Sequence, residues 1–389
     1  MIQRLLKKPS HHFILLGQRG VGKSFWLKQQ FSAKESLYLD LLDYKLYKKL
    51  LKNPELLESI IEENPSKKWI IIDEFQKIPS LLNVVHRMIE NSRYQFGLTG
   101  SSARKLKRGR SNLLAGRAFF FKMFSLSWFE LKNKIKFDDF LFWGGLPKLY
   151  QLKNNEEKID YLNSYTQLYI KEEVQQEQLI RKIDPFISFL EIAAQMNGKI
   201  LNFSNISKDT NVDAKTIVSY YQILEETMLG FYLPAYDRSI RKRQKKSPKF
   251  YFLDLGVVRA LENALEDKLR IKTSEYGRVF ENFLVSEIVK INSYYKKNFK
   301  LSYFQDEYGE IDLVAEKGKS KTYLIEIKSS DTMSKDDAKN LIKYSSSFQS
   351  PICIVLSRDK ISMKIENVHF YHWEIGLRKI FISESLSTS

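Results

Sequence analysis

Two groups of residues in this chain have the types and spacing to act on phosphorus–oxygen bonds. The first is Gly17-Gln18-Arg19-Gly20-Val21-Gly22-Lys23-Ser24, which follows the apolar run Phe13-Ile14-Leu15-Leu16 and opens a helix-like segment. Glycines at this spacing let backbone N–H groups converge on an anion at a helix N-terminus. Lys23 is then placed to neutralise the outer phosphates, and Ser24 to offer its hydroxyl to the magnesium ion that accompanies a nucleotide. Trp69-Ile70-Ile71-Ile72-Asp73-Glu74 is a second apolar run, ending in two carboxylates. A central parallel strand opens onto its ligand crevice in this way. Asp73 is expected to hold the magnesium through water, and Glu74 to polarise the water that attacks the terminal phosphate. Tyr94 to Thr99 runs into Thr99-Gly100-Ser101-Ser102, whose polar side chains either sense that phosphate or close an ordinary strand-ending turn. Arg117, in Leu114-Ala115-Gly116-Arg117, is a candidate for stabilising charge during phosphoryl transfer. Nucleic acid or an acidic neighbour is its alternative partner. The cofactors expected are ATP and Mg2+. ATP is favoured over GTP because no guanine-reading Asn-Lys-x-Asp motif occurs.

The second group lies in the last third. In Gly309-Glu310-Ile311-Asp312-Leu313-Val314 and Leu324-Ile325-Glu326-Ile327-Lys328, strand alternation puts Asp312 on the face of Glu310, and Glu326 on the face of Lys328. If the two strands are neighbours, acids and a lysine meet at one edge. Such carboxylates supply hard oxygen ligands for a divalent cation, and the lysine can orient a water and offset charge on a phosphodiester under attack. Glu281, in the helical stretch Phe280-Glu281-Asn282, can complete the metal shell. A lone Glu-x-Lys on a strand says little. The order helix-Glu, strand-Asp, strand-Glu-x-Lys, helix, strand is more specific, and it fits hydrolysis of a phosphodiester. The competing reading is two exposed strand ends carrying solvated charges, or acids that bind metal or DNA without turnover.

The elements that must position these residues fall into three textures. From the start to about Lys132, apolar strand-like runs alternate with amphipathic helical patterns such as Ser80 to Ile89, which predicts a parallel α/β sheet over residues 1–132. Residues 133–240 turn strongly helical, with helical spacing over Ile159 to Ile183 and Phe186 to Met196. Within them, Phe203 to Lys208, Val212 to Thr216 and Ile217 to Met228, followed by the strand-like Gly230-Phe231-Tyr232-Leu233-Pro234, suggest a winged helix. That fold either lays its second helix in a DNA groove or serves only protein packing. Residues 241–389 return to mixed α and β: a helix over Phe280 to Ile291, strands over Leu301 to Phe304, Ile311 to Ala315 and Tyr323 to Lys328, a helix over Ala338 to Tyr344, and a buried strand over Ile352 to Leu356.

At 389 residues the chain is long enough for two or three cores, and a hydrophobic fraction of 43% is ample for them. No apolar run approaches bilayer length, and the first residues carry no small-residue cleavage site, so a cytoplasmic, soluble protein is expected. One cysteine, Cys353, excludes an intrachain disulfide and a cysteine metal cluster. Inside Ile352-Cys353-Ile354-Val355-Leu356 its default role is a small buried side chain. Lys and Arg outnumber Asp and Glu by 63 to 46, a formal charge of +17, which makes a polyanion partner plausible, DNA in particular. Arg104 to Lys122 holds seven basic residues and no acid, and Arg241, Lys242, Arg243, Lys245, Lys246 and Lys249 crowd another short stretch. The latter is expected to be a wing or the linker after it. Either run can also be a solvated loop.

With these motifs together, the chain resembles, over nearly its whole length, prokaryotic AAA-type P-loop ATPases whose C-terminal part is a domain of unknown function with a restriction-endonuclease-like fold. The resemblance is carried by Gly17 to Ser24, Ile70-Ile71-Ile72-Asp73-Glu74-Phe75-Gln76-Lys77-Ile78-Pro79, Leu98-Thr99-Gly100-Ser101-Ser102-Ala103, Leu113-Leu114-Ala115-Gly116-Arg117 and Leu201-Asn202-Phe203-Ser204-Asn205-Ile206. It implies ATP binding and hydrolysis. Glu281, Asp312, Glu326 and Lys328 separately look like the PD-(D/E)xK nuclease pattern, which departs here in lacking a proline before Asp312. Glu310, in Gly309-Glu310-Ile311, is therefore a further candidate for the metal role. The expectation is an ATPase whose nucleotide state controls a metal-dependent DNA-binding or DNA-cutting domain. The alternative is a nucleotide-gated signalling or scaffold protein whose nuclease-like domain only recognises a partner, and a DNA motor would further require an oligomer.

Overall fold

The computed structural model describes residues 2–91, 93–101, 114, 116–169, 183–237, 239, 241, 243, 246–318 and 321–382. Several expected features therefore lie outside the described residues. They are Ser102, Leu113 and Ala115, most of the basic stretch 104–113, the later part of the helix expected over Ile159 to Ile183, and Lys242 and Lys245. The described chain divides into two compact units. The first is Met1–Leu126 with Leu146–Gln151 and Ile223–Leu229, and the second is Ser127–Gly145, Leu152–Gln222 and Gly230–Ser389.

Unit 1 is built on a five-stranded sheet of β1 (Phe13–Leu16), β2 (Ser36–Asp40), β3 (Trp69–Asp73), β4 (Gln95–Gly100) and β5 (Phe119–Lys122). The order is β2-β3-β4-β1-β5, and every pairing is parallel. The near-continuous apolar spelling of β1 and β3 is what a strand covered on both faces requires. All their residues are buried, each of Ile70, Ile71 and Ile72 worth about 1.5–3 kcal/mol relative to exposure. Helix α1 (Lys23–Gln30) leaves the loop after β1. Helix α2 (Tyr44–Lys52) is capped by Asp43, which accepts from the N–H groups of Lys45 and Leu46, and α3 (Leu56–Glu62) follows. Helix α4 (Leu81–Asn91) buries the stripe Leu81, Leu82, Val84, Val85 and Met88, which the alternation of apolar residues had placed on one face. β5, an edge strand rich in phenylalanine, leaves Phe119 and Phe120 largely exposed.

Unit 2 begins with the short helices α5 (Trp128–Leu131) and α6 (Phe137–Trp143) and continues through α7 (Asn155–Ser164) and α8 (Asp184–Gln195). Helix α9 (Phe203–Thr210) is joined to α10 (Ala214–Glu226) by a turn at Asn211 in the left-handed region, φ 53°. Phe186 and Phe189 of α8 pack against Tyr220 and Tyr221 of α10, with ring centroids 4.9–5.2 Å apart. β6 (Gly230–Leu233) then pairs antiparallel with β7 (Lys249–Phe252). Lys249 is thus the first residue of a buried strand, where the sequence pattern had assigned it to a basic wing or linker. After α11 (Leu255–Leu261) and the long α12 (Ser274–Tyr294) comes a six-stranded mixed sheet. Its strands are β8 (Lys300–Asp306), β9 (Gly309–Lys317), β10 (Lys321–Ile327), β11 (Ile352–Ser357), β12 (Met363–Ile365) and β13 (Val368–His372), in the order β12-β13-β11-β10-β9-β8. β9 and β10 are antiparallel neighbours, while β10, β11 and β13 run parallel. Helix α13 (Lys339–Ser345) covers a core that includes Leu324, Leu341, Val355, Phe370 and the buried free thiol of Cys353. Helix α14 (Trp373–Leu377) follows the last strand. Among the described residues no helix is long and apolar enough to cross a membrane.

Candidate functional site

In unit 1 the loop after β1 is shaped by close approach. A Cβ at Gly17 would lie 2.3 Å from the Met123 carbonyl oxygen, and Gly22 holds φ 89°, a left-handed geometry that disfavours any side chain. No side chain caps the N-terminus of α1, so its first N–H groups remain available to an anion. The buried Lys23 ammonium donates back to the carbonyls of Gly17 at 2.6 Å and Gln18 at 3.2 Å. The Gln18 amide, buried in the same loop, has no hydrogen-bond partner among the described residues.

Asp73 ends β3 and is buried. Its Oδ2 accepts from the Tyr38 hydroxyl and its Oδ1 from Thr99 Oγ1 and, at 3.1 Å, from the Glu74 N–H. Tyr38 also hydrogen-bonds Ser24, and burial together with the Asp73 charge raises its pKa well above that of a free phenol. Ser24 and Asp73, the pair expected to hold magnesium, are therefore brought together around one hydroxyl. As hard oxygen donors at the carboxyl ends of β1 and β3, they fit that ion. Glu74 sits at φ 58°, a strained conformation for a non-glycine residue and one concentrated at working sites. Its Oε2 accepts from Gln76 Nε2, which also reaches Ser101 Oγ at 3.1 Å. Thr99 thus contacts Asp73 from the end of β4, beside Leu15 in register, and Ser101 just after that strand reaches Glu74 only through Gln76.

Arg117 is not brought to this loop. β5 runs parallel to β1 with Phe119 beside Phe13, so a residue ahead of Phe119 lies past the N-terminal edge of the sheet, opposite the phosphate loop. There its guanidinium pairs with Glu90, the acidic neighbour named among its alternatives.

In unit 2 the register of β9 and β10, ending at Leu313 opposite Ile325, continues to set Asp312 opposite Glu326. Asp312 Oδ2 accepts the Ile327 N–H at 2.7 Å. Burial, then the charges of Glu326 and Glu281, raise the Asp312 pKa well above the usual carboxylate value. Lys328 Nζ lies 2.7 Å from Glu326 Oε1. Glu326 is only 5% exposed, and its Oε2 has no hydrogen-bond partner among the described residues. Burial raises its pKa against the pull of Lys328.

The remaining acids are already engaged. The Lys249 ammonium, 5% exposed, pairs with Glu310 Oε1 and lies 3.6 Å from Glu281 Oε1, which also accepts from the Tyr251 hydroxyl at 2.6 Å. Burial opposes the charge on Lys249, yet Glu281 and Glu310 hold its pKa above the ordinary lysine value. Among the described residues no group of three or more His, Cys, Asp or Glu side chains is arranged to hold a metal ion. The shell expected from Glu281, Asp312 and Glu326 does not fit a divalent ion in this arrangement, because Lys249 and Tyr251 take Glu281.

Four contacts escaped the sequence pattern: Tyr38, Gln76, Lys249 and Tyr251. Tyr38 was signalled only by alternation in Ser36-Leu37-Tyr38-Leu39-Asp40, and Gln76 by standing two residues after Glu74. Lys249 and Tyr251 share a face of Lys249-Phe250-Tyr251-Phe252 by the same two-residue period.

Comparison with known proteins bears on both units. Residues 10–132 match the AAA domain family. Residues 134–270 match a domain of unknown function (DUF8612), and residues 276–375 another (DUF4143). An uncharacterized protein of Haemophilus influenzae is 22% identical over 351 residues, covering 83% of this chain and 84% of that one. An uncharacterized protein of Mycobacterium tuberculosis is 23% identical over 225 residues, or 57% of this chain. The match spans 51% of the mycobacterial protein, about half its length. Among solved structures, the Aeropyrum pernix ORC1 protein in complex with DNA is 12% identical, with a TM-score of 0.30 over 67% of this chain and 87% of that one. AMPPCP-bound DnaA from Aquifex aeolicus is 15% identical, with a TM-score of 0.28 over 67% and 89%. The phosphate loop, the parallel sheet and the family match together make the N-terminal part an AAA-type P-loop domain, a nucleotide-binding module.

Proposed function

We propose that this chain is an ATPase whose nucleotide state governs engagement of DNA by the C-terminal unit. The observation that carries the reading is the placement of Lys23 and Ser24 in the loop and helix after β1, and of Asp73 and Glu74 at the end of β3, on either side of β4, from which Thr99 bonds Asp73, while Gln76 links Glu74 to Ser101 just after that strand. Lys23 would turn from the carbonyls of Gly17 and Gln18 to the outer phosphate oxygens, and N–H groups of the loop would bind the same anion. Magnesium, held by Ser24 and Asp73, would supply charge neutralisation on those oxygens. Tyr38 would give up its bonds to both ligands. Glu74 would accept a proton from the attacking water at a carboxylate oxygen, released from or steadied by Gln76. Because Arg117 pairs with Glu90, a stabilising arginine for transfer is expected from another source, such as a second subunit.

For the C-terminal unit the reading is a nuclease-like fold, supported by a helix bearing Glu281, antiparallel strands bearing Asp312 and Glu326, and Lys328 beside them. The α8, α9 and α10 helices followed by the β6–β7 hairpin support a winged-helix segment. The excess of 63 basic over 46 acidic residues favours a polyanion partner. DNA binding is preferred to DNA cutting, since no catalytic step can be derived through a metal that the carboxylates do not fit. The test is ATP turnover with Mg2+, measured with and without duplex and single-stranded DNA, alongside DNA retention with and without ATP. Turnover together with nucleotide-dependent DNA retention is expected. Absence of turnover would remove the ATPase reading, and turnover indifferent to every DNA, with no retention, would leave a nucleotide-gated protein scaffold.

A further inference from the structure

We propose that Lys249 is the resident cation of the acidic centre in unit 2, and that a divalent ion gains Glu281 and Glu310 only by displacing its ammonium. The inference rests on the nuclease-like reading of this unit only for the class of ion. The geometry is specific. Lys249 enters from β7, a strand outside the six-stranded sheet that carries Glu310, Asp312 and Glu326. Its buried ammonium reaches one carboxylate on α12, Glu281, and one on β9, Glu310. Its ammonium lies over the Tyr303 ring, 5.4 Å from Nζ to the ring centroid, which helps hold it in place. Tyr251, two residues on along the same strand face, binds the same oxygen of Glu281, so β7 occupies that carboxylate with two donors.

On the far side of the cluster, Glu326 presents a buried oxygen with no partner next to Asp312. Four carboxylates, Glu281, Glu310, Asp312 and Glu326, thus share two ammonium groups, Lys249 and Lys328. A pair of acids with an unpartnered buried oxygen attracts a cation. An ammonium already beside two of the carboxylates repels that cation and withholds its ligands. Lys328 sits where the Glu-x-Lys pattern puts it, and Lys249 is the additional charge.

The test is titration of full-length, nucleotide-free protein with Mn2+ alone, following free ion by electron paramagnetic resonance. Wild-type protein is expected to show no saturable site in the micromolar range. Lys249→Met should gain one site at least about tenfold tighter, from relief of charge repulsion. Adding Glu281→Gln to that variant should remove the gain. Lys249→Arg, which keeps the charge, should stay like the wild type. Should Lys249→Met fail to fold, Lys249→Gln retains hydrogen bonding to both acids and is read in its place. A wild-type site as tight as that of the variant, or a gain that survives Glu281→Gln, overturns the proposal. The readout is ion binding, so a protein that binds no DNA at all can still pass this test. A protein that binds DNA well can equally fail it.

Discussion

Acids stand at strand ends in both units, yet Asp73 and the acids of unit 2 are satisfied by opposite chemistry. In unit 1, Asp73 accepts from the hydroxyls of Tyr38 and Thr99, both uncharged. In unit 2, Glu281, Glu310 and Glu326 are bonded by ammonium groups, and Glu281 also by the neutral hydroxyl of Tyr251. A hydroxyl or amide can rotate away from a carboxylate without leaving a net charge behind. A buried ammonium cannot, because separation strands charge on both sides. The first arrangement is ready to receive a cation with its nucleotide, and the second already carries its cations.

The contrast can be broken at several points. The largest effect is expected at Glu74. Glu74→Gln should lower ATP turnover about 10²–10⁴-fold with nucleotide affinity nearly unchanged, as read by steady-state hydrolysis and by binding of a fluorescent nucleotide. Next comes Lys23→Ala, which removes the main cationic donor of the phosphate loop and should lower turnover about 10²–10³-fold; here affinity falls as well. If either variant hydrolyses ATP like the wild type, the poised character of unit 1 is lost.

Stability sharpens the comparison. Lys249→Met leaves Glu281 and Glu310 without their cation and should cost about 2–3 kcal/mol in chemical unfolding, below the range for a fully enclosed pair. Thr99→Val removes a neutral donor from Asp73 and should cost about 1 kcal/mol. Equal costs would show that charge on the partner does not matter.

The smallest effects are in pH dependence, and the two units should differ in sign. In unit 1, burial and the neighbouring His11 lower the pKa of His12, whose Nδ1 accepts the Phe96 N–H. A depressed folded pKa gives stability that is present above about pH 6.5 and lost as pH falls through the folded value. In unit 2, burial raises the pKa of the fully enclosed Glu287 despite Lys290. A raised folded pKa gives stability that is fully present below about pH 4.3 and lost as pH rises through the folded value. Residue-resolved hydrogen exchange should therefore weaken near His12 on acidification and near Glu287 as pH rises from 4.3 upward. His12→Asn and Glu287→Gln should flatten the respective slopes.

The sequence was most readable where local rules and burial agree. Phe13 to Leu16 and Trp69 to Asp73 are unbroken apolar runs, and the phosphate loop between strand and helix is dictated by glycine positions. The strands over 301–304, 311–315, 323–328 and 352–356 also stand out by alternation or continuous burial. β5 was less legible because Phe119 and Phe120 face outward, against the usual apolar-inward rule. β12 and β13 carry charged and histidine residues that dilute their pattern. Lys249 was misread for a different reason. A lysine at the end of a basic run looks solvated, and only two acids distant in sequence, on α12 and β9, make its burial affordable. No one-dimensional pattern reports that kind of long-range compensation. For Arg117 the spacing left a phosphate and an acidic neighbour both open as partners, since which edge of a sheet a residue occupies depends on strand direction, which spacing alone does not reveal.

Unit 1 draws on three separate stretches of chain, Met1–Leu126, Leu146–Gln151 and Ile223–Leu229. Cutting the gene after residue 132 would forfeit Leu146, Leu149, Ile223, Leu224 and Leu229, all buried. The nucleotide module therefore cannot be grafted onto a foreign protein through one junction. Hybrids between relatives should inherit a working enzyme only when both later segments travel with the first.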